Sequence, residues 1–321
     1  MGRKSSTAMM RIAIAGAGGF ASLLTQELSH SAHALLVLST REHPEFEANF
    51  DCQVAVVDYA SLEHLEFTLR GVDLVISTIS GAEQLNLIDA ARRANVRCFV
   101  PSEFEGDLDH RPAAEHDPFD NCSSAALEQL RHWSQSRQNA MKYAVFSCGI
   151  FYERFAPGGL QACNMGMTCR IQNQGDYMID LGRGIAEIPE TNPQGRPVHV
   201  VMTSAVDVAR FVAAAVELGI DSWPRELRMR GTRLTTHRLQ EICSEVRGVP
   251  LNVISRPYEE IEQWLRYYEQ NGDQAKWFTM QHLLQTANGR YTFGDANLND
   301  MVDVQPMTFR QWLCEIWGPV L

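Results

Sequence analysis

The sequence predicts an α/β fold in which a doubly wound parallel sheet is joined to a smaller, mixed α/β C-terminal region. Two observations carry this prediction. Apolar runs that suit strands buried on both faces alternate with segments of helical periodicity through the first half of the chain. A glycine-rich turn at residues 16–19 separates the first strand from the first helix. Right-handed crossovers then place a ligand crevice at the carboxyl ends of the strands.

The first strand begins at Arg11 and runs directly into the glycine-rich turn. Gly16 permits the tight bend and Gly18 lets the backbone approach a pyrophosphate, while the helix that follows directs its free amides at the anion. Ala21 supplies the small residue needed where helix and strand pack. We therefore predict that Gly16, Gly18, Gly19 and Phe20 bind a dinucleotide.

The end of the second strand selects between the two nicotinamide cofactors. Leu35–Leu38 is followed by Ser39, Thr40 and Arg41, where an NAD site usually carries a carboxylate for the ribose hydroxyls. An arginine with two hydroxyl neighbours suits the adenosine 2′-phosphate instead. The sequence thus predicts NADP(H), bound in part by Ser39, Thr40 and Arg41.

Further elements follow without a linker. Strands are predicted at 53–57, 72–78, 96–101 and 143–147, and helices at 206–218 and 237–246, ending at Gly219 and Gly248. We expect a disordered tail at 1–10, a dinucleotide-binding domain at 11–150, and a substrate-side region at 151–321. Residues from about 198 to 230 are expected to return to the first domain.

Composition excludes several classes of protein. The net charge of −11 and the absence of a basic stripe disfavour nucleic acid and anionic membranes as partners. No stretch has the length of a transmembrane helix, and the N-terminus lacks the apolar core of a signal peptide, so a cytoplasmic protein is expected. The eight cysteines show no metal-ligand spacing, which predicts no metal site and reduced thiols, Cys163 and Cys169 included.

Several segments together resemble one family, the NmrA-like, isoflavone-reductase-like branch of the atypical short-chain dehydrogenase/reductases, in its fungal form. These segments are Ala15–Phe20, Val75–Ile79, Phe99–Phe104, Thr203–Val212 and Pro306–Trp312. The resemblance implies an NADP(H)-binding Rossmann domain, with Thr78, Ile79, Ser102 and Phe104 at the cofactor. It also implies a small C-terminal domain over the nicotinamide. Family reductases act on aromatic natural products, and one branch consists of NADP-sensing regulators without catalysis.

The chain departs from that family at its expected proton donor. Family reductases usually carry a lysine shortly after the Pro-Ser-Glu-Phe segment, and here Cys122 takes that position. No lysine occurs between Lys4 and Lys142, and the Tyr-x-x-x-Lys pair of ordinary short-chain dehydrogenases is also missing. The residue after Phe104, usually glycine in the family, is Glu105.

Three side chains are therefore candidates for catalysis. Glu105 is expected at the carboxyl end of the fifth strand, where burial could raise its pKa towards neutrality and let it act as an acid or base. The simpler interpretation is a solvated loop carboxylate, followed by Gly106 and Asp107. Tyr152 could donate from its phenol, although a packing role is the simpler interpretation. Cys122 could be a nucleophile near a helix N-terminus, or an inert thiol. His110 and His116 lie in a loop nearby and are not ranked by the sequence.

Three functions remain open from the sequence alone. The first is an NADPH-dependent reductase of an aromatic or alkaloid-like metabolite. The second is a non-redox acid-base enzyme, an isomerase or a Pictet-Spengler-type cyclase, that keeps NADP(H) structurally. The third is an NADP-sensing regulator. Aromatic residues of the C-terminal half make an aromatic-lined pocket for a small molecule plausible: Phe151, Tyr152, Tyr177, Trp264, Tyr267, Tyr268 and Trp277. The oligomeric state is left open.

Overall fold

The computed structural model describes residues 8–167 and 171–318. Most of the predicted N-terminal tail and Cys169 lie outside the described residues. The strands are β1 Arg11–Ala15, β2 Ala34–Ser39, β3 Cys52–Val56, β4 Leu74–Ser77, β5 Cys98–Val100, β6 Lys142–Tyr143, β7 Val145–Ser147, β8 Ile150–Phe151, β9 Ile179–Asp180, β10 Ile185–Pro189, β11 His199–Thr203, β12 Glu226–Arg228, β13 Thr232–Thr235 and β14 Asn252–Arg256.

The helices alternate with these strands in the first half and dominate the end of the chain. They are α1 Gly19–Ser29, α2 Pro44–Asn49, α3 Leu62–Thr68, α4 Ala82–Arg93, α5 Ser123–Ser134, α6 Gly159–Ala162, α7 Ala205–Leu218, α8 Thr236–Arg247, α9 Tyr258–Gln270, α10 Gln274–Ala287, α11 Asn297–Met301 and α12 Phe309–Trp317. Among the described residues, none of them combines the length and apolar character that crossing a bilayer requires.

The central sheet has the order β3-β2-β1-β4-β5-β6, and every neighbouring pair is parallel. The predicted doubly wound fold is therefore confirmed. Strands β2 and β3 lie in turn on one side of β1, and β4, β5 and β6 lie in turn on the other side. The direction in which the strand order proceeds therefore reverses between β1 and β4. A crevice forms at such a switch point because the loops that leave the two strands turn to opposite faces of the sheet.

Both faces of the sheet are covered by helices. One apolar core joins β1 and β4 to α1 and α7, through side chains such as Ile12, Leu24 and Phe211. A second core packs α3, α4 and α5 on the opposite face. Helix α7 begins where the Ser204 side chain accepts a hydrogen bond from the Asp207 amide, and it ends at Gly219. Both ends lie where the sequence predicted them.

The predicted sixth strand, 143–147, divides at Ala144. Residues Lys142–Tyr143 close the central sheet, whereas Val145–Ser147 pairs in parallel with β12. The chain then enters a mixed sheet of β13, β11 and β8. This path brings residues 148–154 across the carboxyl end of β5, towards the crevice.

A third core lies in the C-terminal region, where the β14-β10-β9 sheet packs with α8, α9, α10 and α12. Three aromatic rings at its centre are fully buried or nearly so: Tyr152, Phe155 and Phe309. Ring contacts with centroid separations of 5.2 and 5.4 Å join Phe309 to Tyr152 and Phe155. This core holds the loop after α10 against the crevice.

Candidate functional site

A cavity of about 560 Å³ occupies the crevice at the carboxyl ends of β1, β4 and β5. Its lining combines the glycine-rich turn with residues from both halves of the chain. The main contributors are Gly16–Gly18, Phe20, Ser39, Thr40, Tyr59, Thr78–Ser80, Ser102–Glu105, Phe119, Phe151, Arg154, Asn164–Met167, Arg290 and Tyr291. The cavity is therefore built where the fold predicts a ligand.

The glycine-rich turn presents unpartnered backbone donors to this cavity. Among the described residues, no backbone acceptor faces the amides of Ala17 and Gly18, whereas the Gly19 amide donates to the Asn164 carbonyl at 2.8 Å. Phe20 and Ala21 belong to the first turn of α1, where amides have no intrahelical acceptor. Free N–H groups at a helix N-terminus carry partial positive charge and bind anions. The turn thus fits the pyrophosphate of a dinucleotide.

The conformation of Gly16 explains why this turn requires glycine. Its φ is +107°, which side chains rarely adopt, and a Cβ there would overlap the hydroxyl of Thr78. That hydroxyl donates to the Ala15 carbonyl at 2.8 Å, which ties the ends of β1 and β4 together. A larger residue at position 16 would push the two strand ends apart.

The residues predicted to select NADP(H) divide between the cavity and its rim. Ser39 and Thr40 line the cavity, while the exposed Arg41 does not, and its Nε lies 3.4 Å from Nε2 of His43. Tyr59 also lines the cavity and donates to the Leu38 carbonyl at 2.9 Å. Arg41 reaches a bound phosphate only if its side chain turns inward from the rim, so its role stays a prediction.

Glu105 lies in the cavity, as its position after β5 predicted, but its electrostatics are opposite to the expectation. Its Oε2 accepts from Nη2 and Nε of Arg290 at 2.7 and 3.2 Å, and Nη2 of Arg111 lies 3.6 Å away. Burial raises the pKa of Glu105, but Arg290, Arg111 and Arg154 outweigh it and lower the pKa to about 2. The expected rise towards neutrality is wrong, because the sequence did not reveal these cations.

The two arginines continue into a buried network of charges. Nη2 of Arg111 donates to Glu103 at 2.6 Å, and Nη1 of Arg290 donates to Asp117 at 2.8 Å. Arg290, which is 3% exposed, also bonds to Gln285. Paired charges of this kind hold one another in position, since removing any one leaves its partner buried without compensation.

The backbone around Glu105 is fixed on both sides. The Glu105 carbonyl accepts from the amides of Cys148 and Gly149, each at 2.8 Å. The Asp107 amide donates to the Arg290 carbonyl at 2.7 Å, and a side chain on Gly106 would overlap that carbonyl. The loop after β5 and the loop after α10 are therefore in direct backbone contact, so the Glu105–Arg290 pair is held from both ends.

An aromatic stack closes one side of the cavity. Phe119, which lines it, stacks on the ring of His282 with 3.8 Å between centroids. His282 is 3% exposed, and neither of its ring nitrogens has a hydrogen-bond partner among the described residues. Burial and the nearby Arg154 lower the pKa of His282 to about 3, so the ring is neutral at pH 7.

The other two catalytic candidates do not line the cavity. The buried Tyr152 donates its phenol hydrogen towards Thr232 and the Met307 carbonyl, at 2.9 and 3.1 Å, and burial raises its pKa. Cys122 is half-buried at the start of α5 with a left-handed φ of 66°, between Asn121 and Ser123, which do line the cavity. The packing interpretation therefore fits Tyr152, and no contact of Cys122 favours catalysis.

Most of the remaining predicted cofactor contacts line the cavity: Gly16, Gly18, Phe20, Thr78, Ile79, Ser102 and Phe104. Gly19 does not, since residues 163–165 cover it. Among the predicted pocket aromatics, Phe151 lines the cavity, while Trp264, Tyr267 and Tyr268 contact one another along α9. The sequence did not predict Arg154, Arg290 or Tyr291. Arg290 lies 185 residues after Glu105, and nothing in the local pattern indicates that it reaches the cavity.

Glu153 is a buried carboxyl just outside the cavity. It is 7% exposed, and both its oxygens accept from the Ala205 amide at 3.0 Å, at the start of α7. Burial raises its pKa to about 7, since the Ala205 bond compensates only in part and the charge of Asp207 opposes ionisation. This carboxyl is thus partly protonated at neutral pH.

Within residues 8–167 and 171–318, no three His, Cys, Asp or Glu side chains are placed to hold a metal ion. The seven cysteines that the structure describes are all free thiols. The lining of the cavity offers backbone amides, hydroxyls and aromatic rings, which are groups that suit an organic ligand.

Comparison with known proteins decides the family. The sequence model of the NmrA-like family matches residues 9–282, which is most of the chain. The chain belongs to the NmrA-like family. Membership agrees with the family that the sequence motifs resembled, and the match ends before Arg290 and Tyr291.

Two curated relatives of this NmrA-like chain are named as follows. Oxidoreductase BOA1 of Botryotinia fuckeliana is 26% identical over 254 residues, covering 75% of this chain and 77% of the relative. Isoflavone reductase homolog A622 of Nicotiana glauca is 33% identical over 217 residues, covering 64% of this chain and 63% of the relative.

A solved structure, AtPrR2 with NADP⁺ and (+)pinoresinol, matches with a TM-score of 0.68 at 18% identity. The match covers 96% of this chain and 99% of that one. At this identity the likeness establishes the fold, which agrees with the central parallel sheet and its covering helices.

Proposed function

We propose that this NmrA-like protein is an NADPH-dependent oxidoreductase that acts on a small molecule. One observation carries the proposal: a single cavity joins the free amides at the start of α1 to Glu105, Phe119 and Tyr291 at its other side. A dinucleotide held at the amides would share that space with a second, smaller molecule. The relatives' names, oxidoreductase and isoflavone reductase homolog, support the same class of reaction.

The substrate that we propose is an aromatic or alkaloid-like metabolite of secondary metabolism. Aromatic rings of Phe104, Phe119, Phe151 and Tyr291 line the cavity, and such surfaces stack on planar apolar ligands. The (+)pinoresinol bound to AtPrR2 is support by analogy.

Each group of lining residues has a role in this proposal. The amides of Ala17, Gly18 and Phe20 would hold the pyrophosphate, and Ser39, Thr40 and Arg41 the adenosine 2′-phosphate. Bound NADPH supplies a hydride. The aromatic residues exclude water, and the ion pair with Arg290 keeps Glu105 ionised at a fixed place in the cavity.

The non-redox alternative requires Glu105 to donate a proton. The cations around Glu105 lower its pKa to about 2 and keep the carboxyl ionised, so Glu105 is a poor general acid. The hypothesis of an acid-base enzyme that keeps NADP(H) structurally thus loses its proposed proton donor. Reduction by NADPH does not require Glu105 to donate a proton.

The test combines cofactor binding with turnover. Calorimetry should show NADPH binding to the purified protein, and Gly18→Asp should weaken it about 100-fold or more by placing a carboxylate at the pyrophosphate. Gly294→Asp is the matched control, because Gly294 has open space around it and does not line the cavity.

Turnover is then followed as NADPH absorbance with aromatic ketones, quinones and cyclic iminium salts. We expect oxidation of NADPH with at least one of these electrophile classes. Tight NADPH binding without oxidation by any of them would contradict the reductase and favour the NADP-sensing regulator.

A further inference from the structure

The two carboxylate oxygens of Glu105 have different surroundings. Both hydrogen bonds from Arg290 go to Oε2, as does the closest approach of Arg111. Oε1 has no hydrogen-bond or ion-pair partner in the part of the chain that the structure describes. The side chain is 28% exposed, and it lines the cavity. The protein therefore presents one free carboxylate oxygen to whatever shares the cavity.

The charged groups around this carboxylate keep it ionised. Arg290 and Arg111 are themselves bound to Asp117 and Glu103, so direct ion pairs connect two guanidinium groups to three carboxylates. Arg154 lines the same cavity and donates to the Ile171 carbonyl at 2.6 Å. A carboxylate oxygen that no protein donor occupies can accept a cation or a hydrogen-bond donor.

The neighbouring surfaces favour the cation. Phe119, Phe151 and Tyr291 line the cavity with Glu105, and the negative face of an aromatic ring attracts a positive charge within about 6 Å. A carboxylate together with aromatic faces is the combination that recognises alkylated ammonium groups, which have no hydrogen to donate.

The ionised state of Glu105 bears on which electrophile it could serve. No lysine lines the cavity, whose phenols are those of Tyr59 and Tyr291, and Glu105, ionised beside Arg290, has no proton to give. Reduction of a carbonyl to an alcohol needs a proton at oxygen. An iminium ion does not: its carbon gains the hydride, its C=N π pair becomes the nitrogen lone pair, and NADPH leaves as NADP⁺.

We propose that the substrate is a cationic iminium compound whose positive nitrogen lies against Oε1 of Glu105, between the aromatic faces of the cavity. This proposal rests on the function proposed above and names its substrate class. Glu105 takes no proton and gives none, and it acts by placing and stabilising the cation.

The test uses cations that cannot be reduced, so that binding is measured without turnover. The probes are N,N-dimethylpyrrolidinium and 2,2-dimethyl-1,2,3,4-tetrahydroisoquinolinium, titrated by calorimetry into protein saturated with NADP⁺. The neutral comparison is 2,2-dimethyltetralin, in which carbon replaces the charged nitrogen. We expect at least one cation to bind about tenfold or more tightly than the neutral analogue.

Glu105→Gln should remove this preference while leaving the affinity for NADP⁺ within about twofold. The matched control is Glu187→Gln. Glu187 is 27% exposed and accepts from Nε of Arg256 at 2.7 Å, so it loses a similar ion pair, but it does not line the cavity. Thermal melts of both variants report whether either has lost its fold. Glu105→Asp keeps the negative charge and should therefore retain a preference for the cation.

The outcomes separate this inference from the proposed reductase. Failure of NADP⁺ to bind would overturn the proposed function. Binding of NADP⁺ with no cation preference, or with equal preference in Glu105→Gln, would overturn the iminium substrate while leaving a reductase of neutral compounds. Turnover of 2-methyl-3,4-dihydroisoquinolinium with NADPH, lowered at least tenfold in Glu105→Gln, would support both.

Discussion

Replacing Glu153 by glutamine should change how the stability of the protein depends on pH. Glu153 is buried at the start of α7, with both oxygens on the Ala205 amide and no cationic partner among its hydrogen bonds. Glutamine keeps the size and one acceptor oxygen, but it cannot ionise. The variant therefore removes a titration and leaves the packing almost unchanged.

The magnitude follows from the two pKa values. In the unfolded chain the carboxyl titrates near 4.5, whereas in the folded protein its pKa is about 7. Because the folded pKa is raised, the contribution of Glu153 to stability is complete below pH 4.5 and is lost as the pH rises through 7. Between pH 5 and pH 8 the loss is about 2 to 3 kcal/mol, so Glu153→Gln should gain that much relative to the wild type.

Thermal unfolding at a series of pH values measures this gain. At about 2 °C for each kcal/mol, the difference in Tm between Glu153→Gln and the wild type should move in favour of the variant by about 5 °C from pH 5 to pH 8. Glu187→Gln, at a carboxylate already paired with Arg256, serves as the control and should show no such trend. A Tm difference for Glu153→Gln that stays constant with pH would refute the raised pKa.

Three further substitutions test the site. Arg41→Gln should weaken NADPH binding about tenfold and leave NADH binding unchanged by calorimetry, and equal losses would contradict a contact with the 2′-phosphate. Gly16→Ala should abolish NADPH binding and lower the free energy of unfolding by about 1 to 3 kcal/mol more than Gly184→Ala, where the added Cβ meets no neighbouring atom. Similar behaviour of the two variants would contradict the crowding at Thr78. Arg290→Met should cost about 3 to 5 kcal/mol in urea unfolding by leaving Asp117 without an ion-pair partner and Glu105 with only the more distant Arg111. A cost below about 1 kcal/mol would show that the network is not stabilising.

The central sheet was predictable because its determinants are local. Alternating apolar runs, the glycine-rich turn and helix ends such as Gly219 and Gly248 depend on neighbours within a few residues. The helix Pro44–Asn49 and the β14-β10-β9 sheet were not predicted, because their segments are short and their apolar periodicity is weak. The division of β6 from β7 depends on pairing with β12, about eighty residues along the chain.

The site was predictable on its cofactor side and not on its substrate side. The residues that line the cofactor end follow strand ends in the first half of the chain, so the topology alone brings them together. Glu105 was placed correctly, yet its pKa shifts in the opposite direction because Arg290 lies 185 residues away in sequence. The local sequence indicated that this carboxyl could be buried, but not that a cation would lie beside it.

The backbone contact between Asp107 and Arg290 has a consequence for the ancestry of the site. Because Gly106 leaves no room for a side chain beside the Arg290 carbonyl, the two loops stay together whatever residues stand at 105 and 290. A lineage that acquired Glu105 first would have carried it beside Arg111 alone, whereas Arg290 without Glu105 would still have paired with Asp117. Related chains with a carboxylate at position 105 should therefore carry the cation at position 290, whereas the cation can occur without the carboxylate.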